Sequence, residues 1–353
     1  MKLNDFILTS NTGLDAIQRA PIVTENTGIK CLRIQDISQS KSYNDWGNTR
    51  VSKQNFEDFK LLKNDLIIAR TGSTVGINMI IKNNLNSVYN NGLIRLRTNS
   101  KVVPYYIYLA MQTIKFKTYI GNIACGSSTQ PNLRINDLLD YEFDAHSIEK
   151  QQHIVDTIGS IDELIEKYQL ILDKQTLFEN NLIQKENNLK TIKLKEIIKF
   201  IKGKKPTEML EFGIKYLSID VLDGSTELFA NPEKTVIAKN DDVLMVMDGA
   251  SSGKVYIGNE GIVGSTLAKI DNSNINSYYL YLFLKSNYSF ISEHNTGSAI
   301  PHTNKELVLD LDIPISKTND ELYNSLLNNR IYINRVINKL NKLKQLYLKK
   351  FFG

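Results

Sequence analysis

After Lys190 the chain begins again. KLKEIIKF from Lys193 echoes KLNDFIL from Lys2, and GIKYLSIDV from Gly213 echoes GIKCLRIQDI from Gly28. NDLIIARTGSTVG from Asn64 is matched by DDVLMVMDGASSG from Asp241, which pairs Asp65 with Asp242, Gly72 with Gly249 and Gly76 with Gly253. YYIYLAM from Tyr105 matches YYLYLFL from Tyr278, and GSSTQPNLR from Gly126 matches GSAIPHTNK from Gly297, with Pro131 opposite Pro301. YEF at Tyr141 matches LDI at Leu311. Landmarks repeated in one order at similar spacing are not chance. The period, about 170 residues, makes each repeat a whole domain plus a helix rather than a solenoid turn. A chain of 353 residues is also too long for one typical core and suits two.

Each repeat ends in a long helical pattern. Ser147 to Lys190 contains no Pro and a single Gly, Gly159. Ile154, Ile158, Ile161, Ile165, Tyr168 and Leu172 recur at three- and four-residue spacing, as on one stripe of a helix with a coiled-coil seam. About forty helical residues span roughly 60 Å, more than one domain needs. From Ser316 onward Leu326, Ile333, Leu340 and Tyr347 lie seven apart, with Leu322, Val336 and Leu343 on the companion positions. Asn329 fills the remaining companion position, where a buried amide would fix register at some cost in stability. The two helices are each other's obvious partner. An antiparallel pairing, relating the halves by an approximate twofold, is expected, with Ile154, Ile158, Ile161, Ile165, Leu172, Leu326, Ile333 and Leu340 in its core.

Between the helices the pattern is of short strands punctuated by Gly, Asn, Ser and Thr: KLNDFIL, GIKCLRIQDIS, DLIIARTG and GLIRLRT, with a last one at YEF. Pro104 opens a predicted helix, PYYIYLAMQTI, at a first-turn position. The expected class is α+β: a β-rich domain with small helices over 1–146, a spacer helix over 147–190, a second such domain over 191–315 and a second spacer helix over 316–353.

Several function classes lose support at this point. No stretch is long and apolar enough for a membrane span, and the first residues lack a signal pattern. Two cysteines, Cys31 and Cys125, without CxxC or Cys/His spacing, argue against disulfides or zinc and for a cytoplasmic setting. The formal charge of +5 permits nucleic acid without requiring it. GASSGKV at Gly249 has three residues between its glycines and Val255 after the Lys, so it is not a phosphate loop, and GSTVGIN at Gly72 lacks the Lys. Both read as tight turns leaving a strand, where backbone can approach a partner closely. There is no Asn-Pro-Pro-aromatic motif, no cofactor-type glycine loop and no Pro-Asp nuclease pattern, and His146, His153, His294 and His302 are scattered. No catalytic or metal-binding residue is predicted.

What remains is two sets of polar and basic loop residues, placed alike in the two repeats. The first comprises Arg33, Gln35, Lys41, Tyr43, Arg50 and Lys53, then Arg70, Thr71 and Ser73, then Gln130, Asn132 and Arg134. The second comprises Lys202, Lys204, Lys205 and Thr207, then Ser251, Ser252 and Lys254, then His302, Asn304 and Lys305. Arg, Lys, Gln and Asn make paired hydrogen bonds to base edges, and Lys and Arg neutralise phosphates, so these are the candidate DNA-binding residues. The lone Trp46, in SYNDWGNTR, is expected to be exposed and to touch a partner.

The order domain–helix–domain–helix, IEKQQHIVDTIGSIDELIEK at the opening of the central helix, the loops GSSTQPNLR and TGSAIPHTNKE, and the strand-turns DLIIARTGSTVG and DDVLMVMDGASSGK resemble the DNA-specificity subunit of type I restriction-modification systems. The resemblance covers essentially the whole chain. It departs from the usual pattern in starting at once with KLND and in opening the second helix with SKTNDELYNSLL instead of an E-x-QQ run. It implies a non-catalytic subunit whose two target recognition domains each read one half of a split site in double-stranded DNA, with the helices setting the gap. It further implies methylation subunits docked around the helices and a restriction subunit. S-adenosylmethionine, ATP and Mg would then belong to those partners, none to this chain, in a bacterial or archaeal cytoplasm. Two domains of different sequence predict two different half-sites, and a helix of roughly 60 Å separates its readers by at most about a turn and a half of duplex. Two other readings stay open: a repeat-domain scaffold for proteins, and the specificity part of a type IIG-like nuclease-methylase.

Overall fold

Two strands with no polar residue on either face anchor the architecture. In the computed structural model, which describes residues 1–124, 131–185, 190–272, 275–297, 299–315 and 320–353, the chain forms two compact units. One comprises Met1–Leu164 with Leu340–Gly353, the other Ile165–Lys339.

In the first unit, strand Leu66–Ala69 is buried at every residue. Leu66 and Ile68 face one core with Ile94, Leu96, Tyr106 and Leu109, while Ile67 and Ala69 face another with Leu32, Trp46 and Tyr89. A strand covered on both faces must be apolar throughout, which is why LIIA shows no alternation. It sits in a four-stranded antiparallel sheet in the order Ile7–Thr12, Leu93–Thr98, Leu66–Ala69, Asn78–Ile80. A second sheet runs Ile22–Val23, Gly47–Thr49, Lys30–Leu32, Ser87–Tyr89, its last pair parallel. Helix Pro104–Met111, with Pro at its start, and helix Ile114–Ala124 cover the first sheet.

The second unit repeats this plan. Val243–Val246 is likewise wholly buried, with Val243 and Met245 in one core and Leu244 and Val246 in another. Its antiparallel sheet runs Ile198–Lys202, Leu267–Asn272, Val243–Val246, Val255–Tyr256. The companion sheet contains one parallel pair, Ile214–Leu217 with Gly261–Val263, as Lys30–Leu32 pairs with Ser87–Tyr89 in the first unit. Helices Ser277–Ser286, capped by the Asn276 side chain, and Tyr288–Glu293 cover the sheet. The expected α+β class is the observed one.

The long helices are Ile148–Lys185 and Asp320–Phe352. At 1.5 Å per residue the first is roughly 57 Å long. In the first unit Lys344 donates to Asp162 at 2.6 Å, and Tyr105 donates to the other carboxylate oxygen at 2.7 Å. In the second unit Arg330 binds Glu179 at 2.6 Å, and Tyr278 donates to Glu179 at 2.5 Å while accepting from Arg330 at 2.8 Å. Gln175 donates to Glu179 and to the Leu326 carbonyl, and Asn329 donates to Gln175. Early residues of one helix thus meet late residues of the other, as an antiparallel pair requires.

Four expectations need correction. KLND is not strand: Leu3–Phe6 is a short 3-10 turn, and the strand is Ile7–Thr12. YEF contributes only an isolated bridge between Glu142 and Lys2. Asn329 lies at the surface, although its amide does reach Gln175 across the pair. The second helix's seam is also shifted. Ile333 is buried as predicted and Leu326 and Leu340 are half-buried, but Leu343 is exposed, and Tyr323, Leu327 and Leu348, off the predicted stripe, are buried too. Those three pack into the cores of the domains, so there the helix turns its apolar face toward them rather than toward its partner helix alone. On the central helix Ile154, Ile158, Ile161 and Leu172 are buried and Ile165 and Tyr168 half-buried.

Candidate nucleic-acid interface

The wholly buried strand of each unit delivers its chain into a tight turn, and a second loop is laced against that turn. In the first unit the turn closes through Val75 N–H to the Gly72 carbonyl and Gly76 N–H to the Ala69 carbonyl. Gly72 N–H then donates to Pro131 O at 3.1 Å, Leu133 N–H donates to Arg70 O at 2.7 Å, and Thr71 bridges Asn132. In the second unit Gly249 N–H donates to Pro301 O at 2.9 Å, Thr303 N–H donates to Met247 O at 2.8 Å, and Asp248 bridges His302. The two prolines aligned in the sequence accept the same hydrogen bond. Gly76 and Gly253 explain the turn's composition: both have positive φ, and an added Cβ would come within 2.8 Å of Ile120 or 2.7 Å of Ile291.

On this common frame the side chains differ. In the first unit Arg70 donates to Asn132 Oδ1 from Nε and Nη2, at 3.4 and 3.2 Å. Ser73, Asn132 and Arg134 are exposed beside it and Thr71 is half-buried, while Gln130 lies outside the described residues. In the second unit Asp248 takes the place of Thr71. Its Oδ1 lies 2.7 Å from His302 Nδ1 and its Oδ2 accepts from Lys202 at 3.2 Å. Burial alone would raise this carboxyl, but hydrogen bonds from His302 and Lys202 more than offset it and hold the group below its usual range. The three border a cleft of about 290 Å³ with Thr296, Asn304 and Lys305. Sequence reasoning missed Asp248; its alignment with Thr71 in the repeat was the available signal.

The remaining candidates do not gather at these loops in the same way. Arg33 and Lys41 both bind Asp36, at 3.3 and 3.4 Å. Arg50 pairs with Glu25, and Gln35 and Lys53 are exposed. Lys204, Lys205, Thr207 and Lys305 are exposed, and Ser251 is half-buried. Lys254 donates to Asp223 at 2.8 Å and lies over the Tyr256 ring. Asn304 spends its side chain capping the helix Lys305–Leu309. Two candidates are corrected outright. Ser252 is buried, its hydroxyl within hydrogen-bond reach of the Met247, Gly249 and Pro301 carbonyls, so it braces the loop pair from inside. Trp46 is buried too, donating from its indole N–H to the Lys41 carbonyl and meeting Tyr43 edge-on. Its polar neighbours in sequence are surface residues around a buried ring.

A separate surface lies on the central helix. Leu170 and Leu177, and Ile171 and Phe178, stand seven apart and are exposed, a second apolar stripe that the partner helix leaves uncovered. Among the described residues no cluster of three or more His, Cys, Asp or Glu could hold a metal, and no helix is long and apolar enough to cross a membrane.

Known proteins share this architecture. The chain is 30% identical over 177 residues to the type I restriction enzyme MjaVIII specificity subunit of Methanocaldococcus jannaschii, an alignment covering 46% of this chain and 41% of that one. The chain therefore spans about two fifths of that relative's length. The crystal structure of the type I restriction-modification S subunit from M. genitalium superposes with a TM-score of 0.64 over 100% of this chain and 95% of that one, at 19% identity, which establishes a shared fold. The type I restriction modification DNA specificity domain is matched twice, at residues 9–173 and 186–345, and on that double match over most of its length the chain belongs to the family of type I DNA-specificity (S) subunits.

Proposed function

We propose that each unit reads one half of a bipartite, asymmetric site in double-stranded DNA through the paired loops at Gly72/Pro131 and Gly249/Pro301, and that the long helices set the gap between the halves. One observation carries this reading: the same loop-on-turn frame occurs twice with different side chains on it, Arg70 with Asn132 in one and Lys202, Asp248 and His302 in the other. A repeated frame supplies the same approach to a groove twice, and side chains that differ supply two different readings. The exposed lysines and arginines around both frames supply the sequence-independent attraction to phosphates.

The uncovered stripe at Leu170, Ile171, Leu177 and Phe178 is the docking face for a methylation subunit, which brings S-adenosylmethionine and adenine methylation. A restriction subunit would bring ATP, Mg and cleavage. The test is to co-express the full chain with its methylation subunits and map methylated adenines across a genome. Two dissimilar half-sites separated by an unread gap are expected. A single continuous palindrome would refute the two-reader mechanism, and indifference to DNA with or without the methylation subunits would favour a protein scaffold.

A further inference from the structure

His302 is held more firmly than a surface histidine needs to be. Its backbone is bonded on both sides: it bridges Asp248, and it exchanges hydrogen bonds with Thr296, N–H to carbonyl at 2.7 Å and the reverse at 2.9 Å. The Asp248 carboxylate faces its Nδ1 at 2.7 Å, and Lys202 fixes that carboxylate from the other oxygen at 3.2 Å. A carboxylate only accepts, so the proton of a neutral ring must sit on Nδ1. That leaves Nε2 with a bare lone pair on a side chain 49% exposed, and no described residue bonds to it.

We propose that His302 is a base-reading residue whose Nε2 accepts a hydrogen bond from an exocyclic amine, adenine N6 or cytosine N4, with Asp248 as the residue that positions it; this rests on the DNA-reading role given above to the second unit. The cleft carries charge of both signs. Lys202 comes from strand Ile198–Lys202 and Lys305 from the following helix, both ammonium donors. Acceptor charge comes from Asp248, occupied by His302 and Lys202, and from Glu306. With Nδ1 held by Asp248, the neutral ring presents Nε2 as an acceptor at a fixed place, the feature that separates an amine from a carbonyl on a base edge. The first unit offers Arg70, Thr71 and Asn132 at the same frame, with no imidazole among them, and so serves as an internal control.

The experiment is enrichment from a random double-stranded DNA pool by the full chain co-purified with its methylation subunits, wild type beside His302→Phe and Asp248→Asn. In His302→Phe one position of one half-site should lose roughly tenfold in selectivity, the size of one hydrogen bond, while every other position and the other half-site keep their preferences. Asp248→Asn, which permits either tautomer, should weaken the same position. Replacing the base at that position by its analogue without the amino group should cost wild type the same factor and His302→Phe nothing. Half-sites enriched by His302→Phe with every position unchanged overturn the role of His302 alone. No enriched sequence from wild type overturns the DNA-reading assignment beneath it.

Discussion

A tryptophan surrounded by Ser, Asn, Asp, Gly and Thr invites assignment to the surface, yet Trp46 is in the core. Local composition reports on its neighbours, and what buries Trp46 is a cluster with Leu32, Leu61, Ile67 and Tyr89, distant in sequence. Trp46→Ala should cost about 3–5 kcal/mol, as large aromatic deletions in cores do, and Trp46→Phe much less. Urea denaturation of the full chain measures both, and a Trp46→Ala chain as stable as wild type would contradict the burial. A second residue-scale prediction concerns acid. Burial alone would raise the Asp223 carboxyl, but hydrogen bonds from Lys254 and Tyr256 carry it below its ordinary value of 3.8. A carboxyl depressed by folding adds stability above its unfolded value, and that stability disappears as pH falls through the folded value. The gap in melting temperature between wild type and Asp223→Asn should therefore be present near neutrality and close on acidification below about pH 4. A gap that stays constant from neutral pH to pH 3 would assign Asp223 a role unrelated to its charge.

At the scale of elements the long helices were the most legible feature, because an apolar stripe needs only spacing to be seen. What spacing cannot show is that a helix serves two clients. Where Tyr323, Leu327 and Leu348 face a domain core, burial falls one residue after the predicted Leu322, Leu326 and Tyr347, a rotation of about 100°. The polar layer was also invisible, since Gln175, Glu179, Tyr278 and Arg330 come from three elements far apart in sequence. Glu179 is 1% exposed in its side chain and Arg330 16%, so each neutralises the other in a dry setting. Burial lowers the Arg330 guanidinium, but its neighbours Tyr278 and Glu179 carry it above its ordinary value, so it stays charged. Removing one member leaves the other buried without a counter-charge, which costs about 3–5 kcal/mol, whereas apolar replacement of both is often near neutral. Arg330→Met should therefore destabilise strongly and the double variant Glu179→Met/Arg330→Met should recover most of the loss in urea melts. Additive losses would show that Glu179 and Arg330 stabilise independently rather than by neutralising each other.

For the whole molecule the repeat was the deciding signal, since it converts weak loop motifs into one frame seen twice. The frame's backbone was readable from Gly72, Gly76, Gly249, Gly253, Pro131 and Pro301, while its chemistry was not. Which of Ser251, Ser252 and Lys254 points outward depends on contacts that no single-sequence pattern encodes. The division between units falls at Leu164/Ile165 on the central helix and Lys339/Leu340 on the second. If the helices set the gap in the target, lengthening both at these points should lengthen the gap. One heptad adds about 10 Å and returns the seam to within about 20° of its original direction, so the pair stays matched. At about 3.4 Å per base pair that is roughly three additional unread positions. The two half-sites themselves should be unchanged, because neither loop frame is touched. Insertion of five residues in each helix is the contrasting case: it turns the seam by about 140° and should impair folding rather than shift spacing. Methylation mapping with the heptad variant reads the outcome directly, and an unchanged gap beside intact half-sites would remove the helices from the role of spacer.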